Sequence, residues 1–314
     1  MPTDNNKKTI SPRVIVLALV VCALGVVALS APLAMPSSEG QTAAAPAADP
    51  FASVEVGGKA AIVLDVRSGE VLYEKNPGVQ LPLASLTKVM LALVAAEALP
   101  LDSTMTIPYY AAGSNGQNLL EGERWSVKDV IAFTLVTSSN SGAQILADAA
   151  NERIRARFPD APEKGAALWR MNMLAKEMGL GETFYLNAHG LDLSTTQAGA
   201  YGSVRDMARL FAYAASAEPA LFSNTAHGEI FLASSDPSTG SKTVHNTNVA
   251  QGLLPGLIMG KTGLTDLAGG NLGVVFDAGL SQPVVAIVLG STEEGRFDDI
   301  QKLVSTARMS FASR

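Results

Sequence analysis

The sequence predicts a mixed α/β fold in which strands from both ends of the folded part enclose a helical middle. Two observations carry this. Short apolar runs bounded by turn residues occur at residues 60–66, 71–73, 270–276 and 283–289, the pattern of β-strands. Between them lie longer runs of helix formers, at 87–98, 127–136, 141–150 and 164–178, and a further helical run over 296–311 closes the chain. With 314 residues, 47% of them hydrophobic, the chain can bury a substantial core as one large or two small domains. A net charge of −6 leaves no basic footprint for nucleic acid.

In chain order, residues 1–13 are polar and carry Lys7, Lys8 and Arg13, and an uninterrupted apolar run follows from Val14 to Leu29. This reads as a signal sequence or a membrane anchor, oriented with its basic start in the cytoplasm. The run exceeds the usual signal-peptide core and approaches the length that spans a bilayer, which favours a retained anchor. Ala28-Leu29-Ser30 offers a cleavage site, with Pro32 arguing against it. Cys22 is the only cysteine and lies inside this run, so the rest of the chain has neither a disulfide framework nor a catalytic thiol. Val21 is too bulky for a lipoprotein box at Cys22. Residues 36–53, rich in Ala, Pro and Ser, read as a linker, which divides the chain into 1–35, 36–53 and a folded domain over 54–314.

Within that domain, 60–66 and 71–73 form a hairpin around the turn Arg67-Ser68-Gly69-Glu70. A β-prone segment at 105–107 leads into a polar loop over 113–122, and Ser126 opens the helix at Val127. Met171, Met173, Leu174 and Met178 read as core packing. Histidines 189, 227 and 245 lack the spacing of a zinc site, and no metal or cofactor is expected.

The organising stretch is Leu83-Ala84-Ser85-Leu86-Thr87-Lys88. Pro82 stops the helix from extending backwards, so Ser85 falls at its N-terminus. Residues three apart share a helical face, which brings the Lys88 amine to the Ser85 hydroxyl: a nucleophile beside a base. Unpaired N–H groups of the first turn favour negative charge there. A capping serine and a solvated lysine would look the same, so this motif alone decides nothing. Two further motifs accompany it. Thr137-Ser138-Ser139-Asn140 separates two helical runs and would direct Ser138 and Asn140 towards Ser85. Lys261-Thr262-Gly263 ends a β-prone segment, and Gly263 is expected to let a substrate backbone approach closely.

Ser-x-x-Lys, Ser-x-Asn and Lys-Thr-Gly in this order resemble the signature of active-site-serine penicillin-binding proteins and related β-lactamases. Pro82 to Lys88, His189-Gly190-Leu191, Ser203 to Ala208, His245-Asn246-Thr247-Asn248 and Gly260 to Thr265 are similar to the low-molecular-mass D-alanyl-D-alanine carboxypeptidases of the peptidase S11 family, over about residues 60–311. The resemblance implies a β-lactamase/transpeptidase-like fold, with an antiparallel sheet from both chain ends packed on a helical subdomain. It implies a cell-wall substrate, peptidoglycan stem peptides ending in D-Ala-D-Ala, and inhibition by β-lactams. Relatives with a C-terminal β-domain and amphipathic helix continue past the last helix seen here, so membrane attachment is expected from the N-terminus, with the enzyme outside the cytoplasm, or secreted if the segment is cut.

In the roles so implied, Ser85 attacks the carbonyl between the two D-alanines and Lys88 takes its proton. Lys261 is the second cation that helps keep Lys88 neutral, Ser138 relays a proton to the leaving amine, and Asn140 binds Lys88 and the substrate amide. The backbone N–H groups of Ser85 and Leu264 form the oxyanion hole. Thr262, with Arg296, serves the terminal carboxylate; a solvated arginine opening the last helix is the plainer reading of Arg296. Leu264 stands where some relatives carry His. Two rivals remain at this stage. A class A-like β-lactamase would need a Glu four residues before an Asn, whereas Glu182 precedes Asn187 by five; a non-catalytic wall-binding relative would have no need of all three motifs. His189 is read as structural.

Overall fold

The computed structural model describes residues 49–109 and 118–313. The apolar run over 14–29, most of the expected linker and part of the loop over 113–122 lie outside the described residues. Among those described, no helix is long and apolar enough to cross a membrane.

Five antiparallel strands form the main sheet: β1 (Ala60–Asp65), β2 (Val71–Lys75), β3 (Leu257–Thr265), β4 (Gly269–Asp277) and β5 (Pro283–Ser291), in the order β3-β4-β5-β1-β2. The two chain ends meet at β1 and β5, where Ala60 lies opposite Leu289 and Asp65 opposite Val284. The central strands are buried on both faces, so they read as continuous apolar runs. Alternate residues still sort by face. Ile62, Val275, Ile287 and Leu289 pack into the helical core with Leu210 and Phe211 of α5 (Val204–Ala217). Val63, Val274, Phe276 and Val288 pack instead with Phe297, Ile300 and Leu303 of α6 (Gly295–Ala312).

The helical part is built around α1 (Thr87–Ala98), buried from Thr87 to Ala95 and surrounded by α2 (Val127–Val136), α3 (Asn140–Arg157), α4 (Ala166–Glu177) and α5. A helix apolar on every side belongs in the middle of a domain. Serine caps fix three of the starts: Ser126, Ser139 and Ser203 accept from the backbone N–H groups of Asp129, Gly142 and Asp206. The expected fold class is therefore found. Two local readings differ. Helix α3 runs on to Arg157, beyond the apolar pattern, because its last turns are charged helix formers with Arg155 and Arg157 at the C-terminal end of the dipole. Phe51, inside the stretch read as linker, is buried against Tyr73 with ring centroids 5.7 Å apart.

The segment entering β1 is fastened to α6 by one carboxylate. Asp299, buried, accepts from the N–H groups of Gly57 at 2.8 Å and Gly58 at 2.9 Å and from Ser291 Oγ at 2.7 Å. Asp299→Ala strands these donors and should lower unfolding stability by about 2–4 kcal/mol. Urea titration checks it through a lower midpoint at unchanged slope; a loss below about 0.5 kcal/mol would show that the contacts contribute little.

Candidate active site

Ser85 sits in a single 3-10 turn, Ala84–Leu86, that runs directly into α1. Ala84 takes a left-handed backbone, φ 48°, as the chain turns from Pro82 into the helix. Three side contacts hold that turn. Thr87 Oγ1 donates to the Ala84 carbonyl at 2.7 Å, and Asn271 Nδ2, from β4, donates to the Pro82 carbonyl at 3.0 Å. Gly190 lies so close that a side chain there would collide with the Ala84 carbonyl.

One helical turn on, Lys88 is fully buried, and its amine donates to Ser85 Oγ, Asn140 Oδ1 and the His189 carbonyl, each at 2.8 Å. None of these acceptors carries a charge. Burial therefore pushes the amine down to about 7. Lys261 on β3 is also buried and donates to Ser138 Oγ at 2.8 Å and the Thr262 carbonyl at 2.9 Å. Its amine lies well below the ordinary lysine range, first through burial and then through repulsion from Lys88 and Arg296. Ser138, like Ala84, has a left-handed backbone, φ 57°, between the end of α2 and the Ser139 cap of α3. That turn aims Ser138 at Lys261 while Asn140, in the first turn of α3, reaches Lys88.

Ser85, Ser138, Asn140, Thr262, Gly263, Leu264 and Arg296 all line one cleft of about 460 Å³, and Lys88 and Lys261 lie against Ser85 and Ser138. The expected site residues are thus brought together. The fold adds detail to two of them. A side chain on Gly263 would meet the Leu83 carbonyl at 2.9 Å and the Ala84 Cβ at 3.2 Å. The glycine therefore also lets β3 pack closely on the turn that carries Ser85. Arg296 is not a solvated helix start: it is 6% exposed, donates from Nη1 to the Gly263 carbonyl at 2.8 Å and lies over the Phe297 ring.

Residues given no role from the sequence also contribute. The His189 carbonyl is a third acceptor for Lys88; being backbone, it left no side-chain signal. The His189 ring accepts the Leu191 N–H on Nδ1 at 3.2 Å and is driven down to about 4, by burial and then by Lys88, so it stays neutral at ordinary pH. Thr247 lies in the quoted His-Asn-Thr-Asn run and lines the cleft with its hydroxyl 2.6 Å from that of Thr262. Glu182 is exposed; its backbone, not its carboxylate, makes the contacts, with Asp206 and Gln80. It does not line the cleft, so it is not placed to activate water at Ser85.

A serine oxygen beside a buried lysine that can exist as the free amine, with a second lysine–serine pair in the same cleft, defines a centre for nucleophilic acyl transfer. A family model described as D-alanyl-D-alanine carboxypeptidase, peptidase S11, matches residues 41–293. The chain belongs to that family. It is 28% identical over 236 residues to D-alanyl-D-alanine carboxypeptidase DacB2 of Mycobacterium tuberculosis, covering 74% of this chain and 75% of that one. A D-alanyl-D-alanine endopeptidase of Pseudomonas aeruginosa is 30% identical over 160 residues, 50% of this chain and 47% of its own length. The match to D-alanyl-D-alanine carboxypeptidase DacF of Bacillus subtilis covers 37% of that protein, so the chain spans half or less of these two relatives. Among solved structures, ampicillin-bound penicillin-binding protein D2 of Listeria monocytogenes superposes with a TM-score of 0.67 at 28% identity, covering 81% of this chain and 98% of that one. The Streptomyces K15 DD-transpeptidase, at 22% identity and a TM-score of 0.68, shares the fold.

If Lys88 must lose its proton before Ser85 can attack, acylation of Ser85 should rise with pH through a midpoint near 7, flat above it and falling tenfold per pH unit below. Stopped-flow acylation by an activated ester from about pH 5 to 9 checks this, and a pH-independent rate would remove Lys88 from the base role.

Proposed function

We propose that this protein is a serine D-alanyl-D-alanine carboxypeptidase that trims peptidoglycan stem peptides through an acyl-enzyme on Ser85. The observation that carries the reading is the 2.8 Å contact between Ser85 Oγ and the buried amine of Lys88, at the foot of a cleft edged by β3. Ser85 Oγ adds to the carbonyl carbon between the two terminal D-alanines as its proton passes to Lys88 Nζ. The oxyanion so formed is held by the backbone N–H groups of Ser85 and Leu264, each worth about 3–4 kcal/mol. Collapse breaks the C–N bond, and Ser138, backed by Lys261, relays a proton to the departing D-alanine amine. Asn140 holds Lys88 and the substrate amide. Water then hydrolyses the ester, and an amine entering instead would give transpeptidation. A β-lactam would acylate the same oxygen and stay.

Thr262 and Arg296 serve the terminal carboxylate in this reading. The family association agrees with an enzyme of the cell wall, and we place the catalytic domain, residues 54–314, outside the cytoplasm. The apolar run over 14–29 supplies a single-pass membrane anchor, and the Ala/Pro/Ser-rich stretch from 36 up to the packed Phe51 the tether.

Intact-mass spectrometry of the chain with excess benzylpenicillin should show a persistent adduct that Ser85→Ala abolishes. Consumption of the drug without an adduct would mean a β-lactamase, and untouched drug would mean that Ser85 is not a penicillin-reactive nucleophile. Arg296→Ala should lower kcat/KM at least tenfold for a peptide ending in free D-Ala-D-Ala, and much less for the amidated peptide; equal losses would show that Arg296 acts only by supporting Gly263.

A further inference from the structure

We infer that Thr247 is a positioning residue for recognition of the substrate's terminal carboxylate, setting the Thr262 hydroxyl as a donor into the cleft. Its place is built from several sides. The Thr247 N–H donates to the Val136 carbonyl at the end of α2, at 3.1 Å. Next to it, Asn246 Nδ2 donates to the carbonyls of Thr225 at 2.9 Å and His227 at 2.8 Å. Asn248, fully buried, holds the Ala250 N–H on its Oδ1 at 3.2 Å. The segment therefore joins the helical part to the sheet, and it presents the Thr247 hydroxyl 2.6 Å from that of Thr262 in the cleft wall.

Each hydroxyl has one proton, so their shared hydrogen bond has two possible directions. Should Thr262 donate to Thr247, its lone pairs would face the cleft and repel an anion. Should Thr247 donate, the Thr262 proton is free to point at a carboxylate. Lys261 Nζ lies 3.5 Å from Thr262 Oγ1, placed to donate to that oxygen. An anion in the cleft selects the direction Thr247 to Thr262, and the polarised hydroxyl becomes the stronger donor. Thr247 touches the carboxylate through Thr262, and its contribution appears in binding.

The role assigned to Thr247 rests on the carboxypeptidase reading of the cleft. The test uses the full chain, with Thr247→Val removing the hydroxyl at constant shape and Thr247→Ser restoring it. On a peptide ending in free D-Ala-D-Ala, Thr247→Val should raise KM about fivefold with little change in kcat, the size of one ordinary hydrogen bond. The amidated peptide should show no such rise, and Thr247→Ser should return KM towards wild type. An unchanged KM in Thr247→Val, or equal losses on both peptides, overturns the inference while leaving the carboxypeptidase reading standing. A wild-type chain that neither releases D-alanine nor forms a penicillin adduct overturns that reading, and this role with it.

Discussion

Two lysine amines buried in one cleft, neither with a carboxylate partner among the described residues, are the constraint on which the remaining structure depends. Bringing one lysine from its ordinary value to about 7 corresponds to roughly 5 kcal/mol of lost preference for the charged form. A carboxylate alongside would restore that preference and leave no free amine. The protein instead surrounds Lys88 with neutral oxygens, each from a different part of the fold: Ser85 at the head of α1, Asn140 in the first turn of α3, and the His189 carbonyl. Lys261 is held in the same manner by Ser138 and the Thr262 carbonyl. The helical part and the sheet must dock before Lys261 can reach Ser138.

That docking has its own fittings. Asn271 is the clearest: Nδ2 donates to the Pro82 carbonyl before the nucleophile, while Oδ1 accepts the Gly290 N–H of β5. Asp192 ties the turn after His189 to the end of β3, accepting from Thr265 Oγ1 at 3.0 Å and the Leu267 N–H at 3.1 Å. Arg296 reaches from α6 to the Gly263 carbonyl. Asn271 and Asp192 thus hold the nucleophile turn and the histidine turn to the sheet without needing to touch a substrate, and Arg296 braces β3 from the cleft side. Their geometry is preorganised, which is what an acyl-transfer site requires.

How much of this was legible in the sequence follows from where each kind of information resides. Ser85 and Lys88 are three apart on one helix, so their meeting could be read from periodicity alone. The Ser138, Asn140 and Lys261 assignments needed the ordered set of motifs, because only a folded chain brings α3 and β3 to α1. The strand runs were readable since β4 and β5 are apolar on both faces. By contrast, the part played by the His189 carbonyl could not be read, as any residue has a carbonyl. Thr247 lies in a run that itself carries the family resemblance, but nothing in that run singles out its hydroxyl, and an asparagine within a strand, as Asn271 is, carries no spacing signal. Gly263 stands out in its motif, but the room that its missing side chain leaves for the protein's own backbone is visible only in the fold. The charged end of α3 was invisible to a search for apolar periodicity, and residues 204–217 were noted for a motif without being recognised as a helix.

The pairing of β1 with β5 carries a consequence for how such a chain comes to be folded. Synthesis proceeds from the N-terminus, so Ala60 emerges long before Leu289, its partner in the register. Until then β1 can find only β2, and its other edge, apolar and unpaired, is open to any strand it meets. Sheets closed by contacts distant along the chain form slowly. The same closure that brings Lys261 to Ser138 therefore comes late, after β3, β4 and β5 have been made. A chain halted midway would hold the nucleophile and its base but no sheet to shelter them, and would be a substrate for chaperones and proteases before it could be an enzyme.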